Sequence, residues 1–167
     1  MIEVRTDDLA FVTADAIARP VDSELRATTP VMRRLEAAGG DGLAKHLRVN
    51  EPLAVGSAVV TPAGSLGVEL LIHGVVSSDT EPVSRATVRQ AVSGALQRAA
   101  DWGIVHLALP PFGIGAGNLD IEESAEVIAD AIRRHRQTAR YPTSISIIVE
   151  TAFEQDVFER IVAGGQS

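Results

Sequence analysis

A short apolar run, Val105-His106-Leu107-Ala108-Leu109, stops at Pro110-Pro111, and glycine then recurs at every second position in Gly113-Ile114-Gly115-Ala116-Gly117-Asn118. A helix start follows, with Asp120 and Glu123 in capping-box spacing. A five-residue strand this apolar has no solvent face and belongs in a sheet covered on both sides. The glycines permit positive φ and let backbone N–H groups converge on an anion without side-chain obstruction. The helix start adds a favourable partial positive charge. Strand, turn and helix in that order restrict the chain to layered α/β packing and mark the turn as a candidate anion cradle. The plain alternative is a tight strand-to-helix connection that happens to be glycine-rich. The spacing differs from the dinucleotide fingerprint, which needs G-x-G-x-x-G after the first strand and an acidic residue about 20 residues further on.

The rest of the chain repeats the alternation. Strands are expected at Ile2–Arg5, at Ala16–Ala18 ending at Pro20, at Ser57–Thr61, at Glu69–His73 and at Ser144–Val149. Thr29-Pro30 reads as a helix start, a threonine cap with proline in the first turn, and Gly39-Gly40 as its stop. Val88, Ala91, Val92, Ala95, Leu96, Ala99 and Trp102 form a stripe at helical spacing that Gly103 ends. The helix from Asp120 carries Ala125, Ile128, Ala129 and Ile132 on its core face, with acids at its start and arginines at its finish. Phe153–Val162 closes the chain as an amphipathic helix. No repeat or linker divides the 167 residues, so one domain over 1–167 is expected. Aromatics are 4% of the chain, which leaves the core to Val, Ile, Leu and Ala.

The net charge of −7 opposes unspecific binding to nucleic acid or an anionic membrane, but not a small anion held by local N–H groups. The absence of cysteine removes disulfides, thiolate metal sites and thiol nucleophiles. The start, Met1-Ile2-Glu3-Val4-Arg5-Thr6, lacks a signal-peptide layout, so a cytoplasmic location is expected. No metal is expected, because His46, His73, His106 and His135 show no ligand spacing and read as structural. No cofactor is implied. Asp8, after the first strand, is placed to accept from an exocyclic amine, or to act as an ordinary loop cap. The stretch from Arg19 to Thr29 mixes hydroxyls, acids and arginines before a helix start. It reads equally as a second anion contact or as a polar loop.

Together these segments resemble the macro domain family over essentially the whole chain. Asp8-Leu9, followed by Asp15-Ala16-Ile17, is similar to the family's GDIT and DAIVNAAN pair. Val55 to Thr61 with Gly64-Ser65-Leu66 resembles its TGEA..T.G..L stretch, and Leu71-Ile72-His73 its strand ending in Ile-His. Pro110 to Leu119 is similar to its second phosphate loop, P-x-x-GTGxGGL. The resemblance implies a three-layer αβα sandwich around a central mixed, mostly parallel sheet, and binding of ADP-ribose or an ADP-ribosylated molecule. By position it assigns Asp8 and Leu9 to the adenine. It assigns Gly113, Ile114, Gly115, Ala116, Gly117 and Asn118 to the diphosphate and distal ribose, and residues 149–152, with Phe153 nearby, to the adenine edge.

The departures concern the other half of that site. Where many members read N-A-A-N, this chain reads Arg19-Pro20-Val21-Asp22. The family's first glycine loop falls on Thr28-Thr29-Pro30-Val31, and the catalytic aspartate of one hydrolytic branch falls on Met32. Proline has no N–H to donate, and methionine cannot act as a base. The resemblance therefore implies ligand binding through Asp8, Leu9, Asp22, Thr28, Thr29, Val31 and the glycine turn, with little or no hydrolysis. The alternative is an ADP-ribosyl hydrolase of non-standard mechanism, with Asp22 as its candidate carboxylate.

Overall fold

In the computed structural model, which describes residues 1–115 and 118–164, strands and helices alternate along the chain. The strands are β1 (Ile2–Thr6), β2 (Ala16–Asp22), β3 (Ala58–Pro62), β4 (Leu70–Ser77), β5 (His106–Leu109) and β6 (Ser144–Val149). The helices are α1 (Pro30–Ala44), α2 (Arg85–Asp101), α3 (Ile121–Arg136) and α4 (Ala152–Gly164), with one 3-10 turn at Leu9–Phe11. The strands form one mixed sheet in the order β1-β6-β5-β2-β4-β3, in which β3 runs antiparallel to β4 and every other pair is parallel.

Alternation of side chains across each strand builds the two cores. Ala16, Ala18, Ile72, Leu107, Leu109, Ile145 and Ile147 face α2, α3 and α4. Ile17, Leu71, Ala108 and Ile148 face α1 and the 3-10 turn. The result is a three-layer αβα sandwich. Because β5 and β6 lie inside the sheet with helices on both sides, they carry the almost unbroken apolar runs. At the opposite edge from the crevice described below, the Asp15 carboxylate accepts from the His106 N–H at 2.8 Å and ties the start of β2 to that of β5.

Several boundaries differ from those expected. β2 runs past Pro20 to Asp22. It pairs with β5 only through Ala16 and Ile17, so beyond them it is unpaired on that side, where proline costs least. β4 continues to Ser77. Gly39-Gly40 does break α1 as expected: Gly40 takes the non-helical φ 66°, ψ −161°, the Gly39 carbonyl accepts from the Ser65 N–H at 2.9 Å, and a second helical segment then runs to Ala44. Gly64 packs so closely against Gly39, Leu43 and Gly42 that the kink is shaped by the β3–β4 turn. Trp102 leaves the α2 stripe because it is the C-cap residue, and it is 58% exposed.

The order of the strands also places the site. β2 feeds α1 on one face, and its neighbour β5 feeds α3 on the other. At such a switch the two connections diverge and leave a crevice beyond the carboxyl ends of the strands.

Candidate functional site

A cavity of about 350 Å3 lies at this position, within the size range of small-molecule sites. One wall is the first turn of α1, Thr29 to Met32. Facing it are Pro110 and Pro111 from the end of β5 and Ile114 and Gly115 from the glycine turn. Ile148, Glu150 and Glu154, from the end of β6 and the start of α4, form the remaining side. Three segments far apart in the chain thus meet around one apolar cleft with polar ends.

The described residues of the glycine turn are held by hydrogen bonds and buried packing. Gly113 (φ 79°) and Gly115 (φ 136°) occupy backbone conformations that L side chains rarely adopt. The Leu119 N–H donates to the Gly113 carbonyl and the Asn118 N–H to that of Gly115, each at 3.0 Å. Below them Phe112 is fully buried, and its carbonyl accepts from the Ser124 hydroxyl of α3 at 2.6 Å. On the facing wall, Thr29 caps α1 and its hydroxyl accepts from the Met32 N–H at 3.3 Å, with Pro30 at the first position. Val31 therefore brings the first N–H that the helix itself leaves free.

The residues expected in the site are placed as follows. Thr29, Val31, Ile114 and Gly115 line the crevice; Thr28, Gly113 and Asn118 flank it in sequence without lining it. Ala116 and Gly117 lie outside the described residues. Asp8 caps the 3-10 turn, its Oδ1 accepting from the Ala10 N–H at 3.0 Å, while Oδ2 stands 3.8 Å from Arg34 Nε. Leu9 is buried beneath α1. Asp22 does not reach the lining. Its Oδ1 accepts from the N–H groups of Glu24 and Arg26, both at 2.9 Å, and its Oδ2 from Arg26 Nε at 3.0 Å. That carboxylate closes the β2–α1 turn. Phe153, in the first turn of α4, is 68% exposed and outside the lining.

Of the stretch 149–152 expected at the adenine edge, Glu150 lines the crevice, and Glu154, which sequence reasoning missed, lines it beside Glu150. Glu154 Oε1 accepts from the Glu150 N–H at 2.9 Å, and Glu150 pairs with Arg34 at 3.3 Å. Arg34 thus stands between Asp8 and Glu150 beside the crevice. Among the described residues, no group of three His, Asp or Glu side chains is arranged to hold a metal, and none of their helices is long and apolar enough to cross a membrane.

Arg19 was also missed. It is fully buried, beside His73 in the β2–β4 register. Its Nε donates to His73 Nδ1 at 2.9 Å, its Nη1 to Glu36 Oε1 at 2.6 Å and its Nη2 to the Leu25 carbonyl at 3.3 Å. Burial lowers the Arg19 pKa, and the Glu36 hydrogen bond and charge oppose that shift. Burial, and then the adjacent guanidinium, push His73 down from 6.5 to about 3. Between those values the unfolded chain takes up a proton at His73 and the native chain does not, so stability falls as pH is lowered from 6.5 towards 3. The expected slope from this residue is roughly 1.4 kcal/mol per pH unit. His73→Asn, which retains an acceptor but does not titrate, should flatten urea-denaturation stability over pH 6 to 4. Parallel curves for the two proteins would refute the assignment.

With this geometry in hand, comparison with known proteins is informative. The Macro domain family matches residues 18–128. An uncharacterised protein of Mycobacterium tuberculosis is 30% identical over 135 residues, covering 81% of this chain and 38% of its own length. The chain thus spans under two fifths of that mycobacterial relative. An uncharacterised protein of Pyrobaculum aerophilum is 30% identical over 168 residues, covering 95% of this chain and 91% of its own. Among solved structures, a mutant Oceanobacillus iheyensis macrodomain with ADPR superposes with a TM-score of 0.86 at 17% identity, over 98% of this chain and 92% of that one. A Trypanosoma brucei macrodomain in complex with ADP-ribose gives 0.85 at 13% identity, over 96% and 68%. The last two comparisons concern the fold, and the family match covers the two crevice walls from α1 and the glycine turn, while Ile148, Glu150 and Glu154 lie beyond it. The chain belongs to the macro domain family.

Proposed function

We propose that the crevice binds ADP-ribose or a closely related nucleotide derivative and does not hydrolyse it. The observation that carries this reading is the facing pair of elements across the cavity: the start of α1 at Thr29–Met32 and the glycine turn at Ile114–Gly115. A helix start and an obstruction-free backbone turn both favour negative charge between them. Apolar walls from Pro110, Pro111 and Ile148 suit the flat face of a base and the carbon skeleton of a ribose. Solved macrodomains of the same fold with ADPR and ADP-ribose bound support the choice of ligand.

Binding without hydrolysis is favoured by what the carboxylates are already doing. Met32 offers no base at the wall, and Asp22 is engaged by three N–H donors of its own turn. The competing hydrolase reading rests on Glu150 and Glu154, which do line the cavity. ADP-ribose at 100 times its dissociation constant should raise stability by about 2.7 kcal/mol, or roughly 5–10 °C in Tm for a chain of this length. No shift at millimolar ADP-ribose would remove both readings, and turnover of an ADP-ribosylated protein would move the conclusion to the hydrolase.

A further inference from the structure

We propose that Arg19 is a positioning residue for the crevice. Its guanidinium holds the segment from Leu25 to Glu36 at both ends, and so fixes the wall Thr29–Met32 that lies between them. The consequence for affinity rests on the ADP-ribose reading above. The consequence for the wall does not.

Arginine presents a planar fork of donors, and here three directions of that fork are used. Nη2 reaches the Leu25 carbonyl and Nη1 reaches Glu36 Oε1, one contact on each side of the wall. Nε points the other way, to His73 Nδ1. Because Nδ1 accepts, the neutral ring carries its proton on Nε2, which lies 2.8 Å from Thr61 Oγ1. The Thr61 hydroxyl in turn donates to the Pro62 carbonyl at 3.0 Å. The donors therefore run in one consistent direction, and the guanidinium is anchored to β2, β4 and β3 together.

The held segment has a reason to need this. Leu25 takes φ 62°, a left-handed conformation unusual for a leucine, yet its side chain is buried. The Asp22 carboxylate organises the turn around it, through the N–H groups of Glu24 and Arg26, and Arg19 secures its carbonyl. Eleven positions later Glu36 meets the same guanidinium. Lysine could satisfy one of these directions but not all three. The two-ended hold depends on the fork and not simply on positive charge.

Two variants test this, with Val92→Ala in α2, on the far side of the sheet, as the control for a general loss of stability. In Glu36→Ala and Arg19→Lys, hydrogen exchange of the Leu25, Arg26, Met32 and Arg33 amides should speed up at least tenfold relative to amides of β5 and β6. Calorimetric titration of the folded variants should show the ADP-ribose Kd rising about tenfold, the effect of reducing the competent wall conformation to about a tenth. Val92→Ala should change neither quantity in this local way. Exchange at those four amides no faster than in Val92→Ala overturns the proposal. If Arg19→Lys does not fold, Glu36→Ala decides the matter alone, since its site is partly solvent-exposed. If the unaltered chain binds no ADP-ribose, the ligand reading falls and the exchange measurement still decides the clamp.

Discussion

Arg19→Met should lower the unfolding free energy by roughly 3–5 kcal/mol, read from urea denaturation at pH 7. Methionine fills much of the same space, so the expected loss comes from the groups left behind. His73 Nδ1 and the Leu25 carbonyl would lose the guanidinium they face, and Glu36 its ion-pair partner. An unpaired polar group inside a protein costs its full desolvation, which exceeds the modest net gain of making the bond. Domains of this size are stable by only about 5–15 kcal/mol, so the variant should be visibly compromised. A loss under about 1 kcal/mol would show that the desolvation of the guanidinium cancels its contacts.

Gly115→Glu is expected to abolish ADP-ribose binding, with no heat detected by calorimetry at ligand concentrations that saturate the unaltered chain. Gly115 lines the crevice, and among the described residues a β-carbon there would meet Asn118 Nδ2, at 3.5 Å, so space exists although φ 136° strains any L side chain. The glutamate would add negative charge to a cavity that already holds Glu150 and Glu154, where the ligand's phosphates are proposed to sit. Gly113→Ala, two residues earlier, should act on stability instead. Its β-carbon would overlap Val88 Cγ2, beneath the turn. Unchanged ADP-ribose affinity in Gly115→Glu would place the ligand in another part of the molecule.

The two glycines show what a linear reading can and cannot separate. Both belong to the same alternating pattern, and both were assigned to an anion cradle on that pattern alone. Gly113 is buried against α2 because Val88 lies under the turn, a contact between positions 25 residues apart. Gly115 lies at the cavity because β5 ends next to the start of α1. Asp22 illustrates the converse: the family resemblance assigned it to the ligand, and in the structure its carboxylate is met by short-range N–H donors from Glu24 and Arg26. That Asx-type turn was encoded nearby, but the Leu25 conformation that completes it was not recognisable from residue type.

What the sequence by itself determined was local and periodic. The apolar run of β5 required burial on both faces; Thr29-Pro30 and Asp120 set helix starts; the paired glycines allowed positive φ; and the order of segments carried the family. These features depend on neighbours within a few residues, so they can be read along the chain. Tertiary structure alone decided the burial of Arg19, the neutral state of His73, the second helical segment beyond Gly40, and the entry of Glu154 into the crevice. Each depends on strand register or on the packing of segments tens of residues apart. In such cases the free energy is set by which groups are desolvated together, and a side chain's partner there cannot be inferred from its neighbours in sequence.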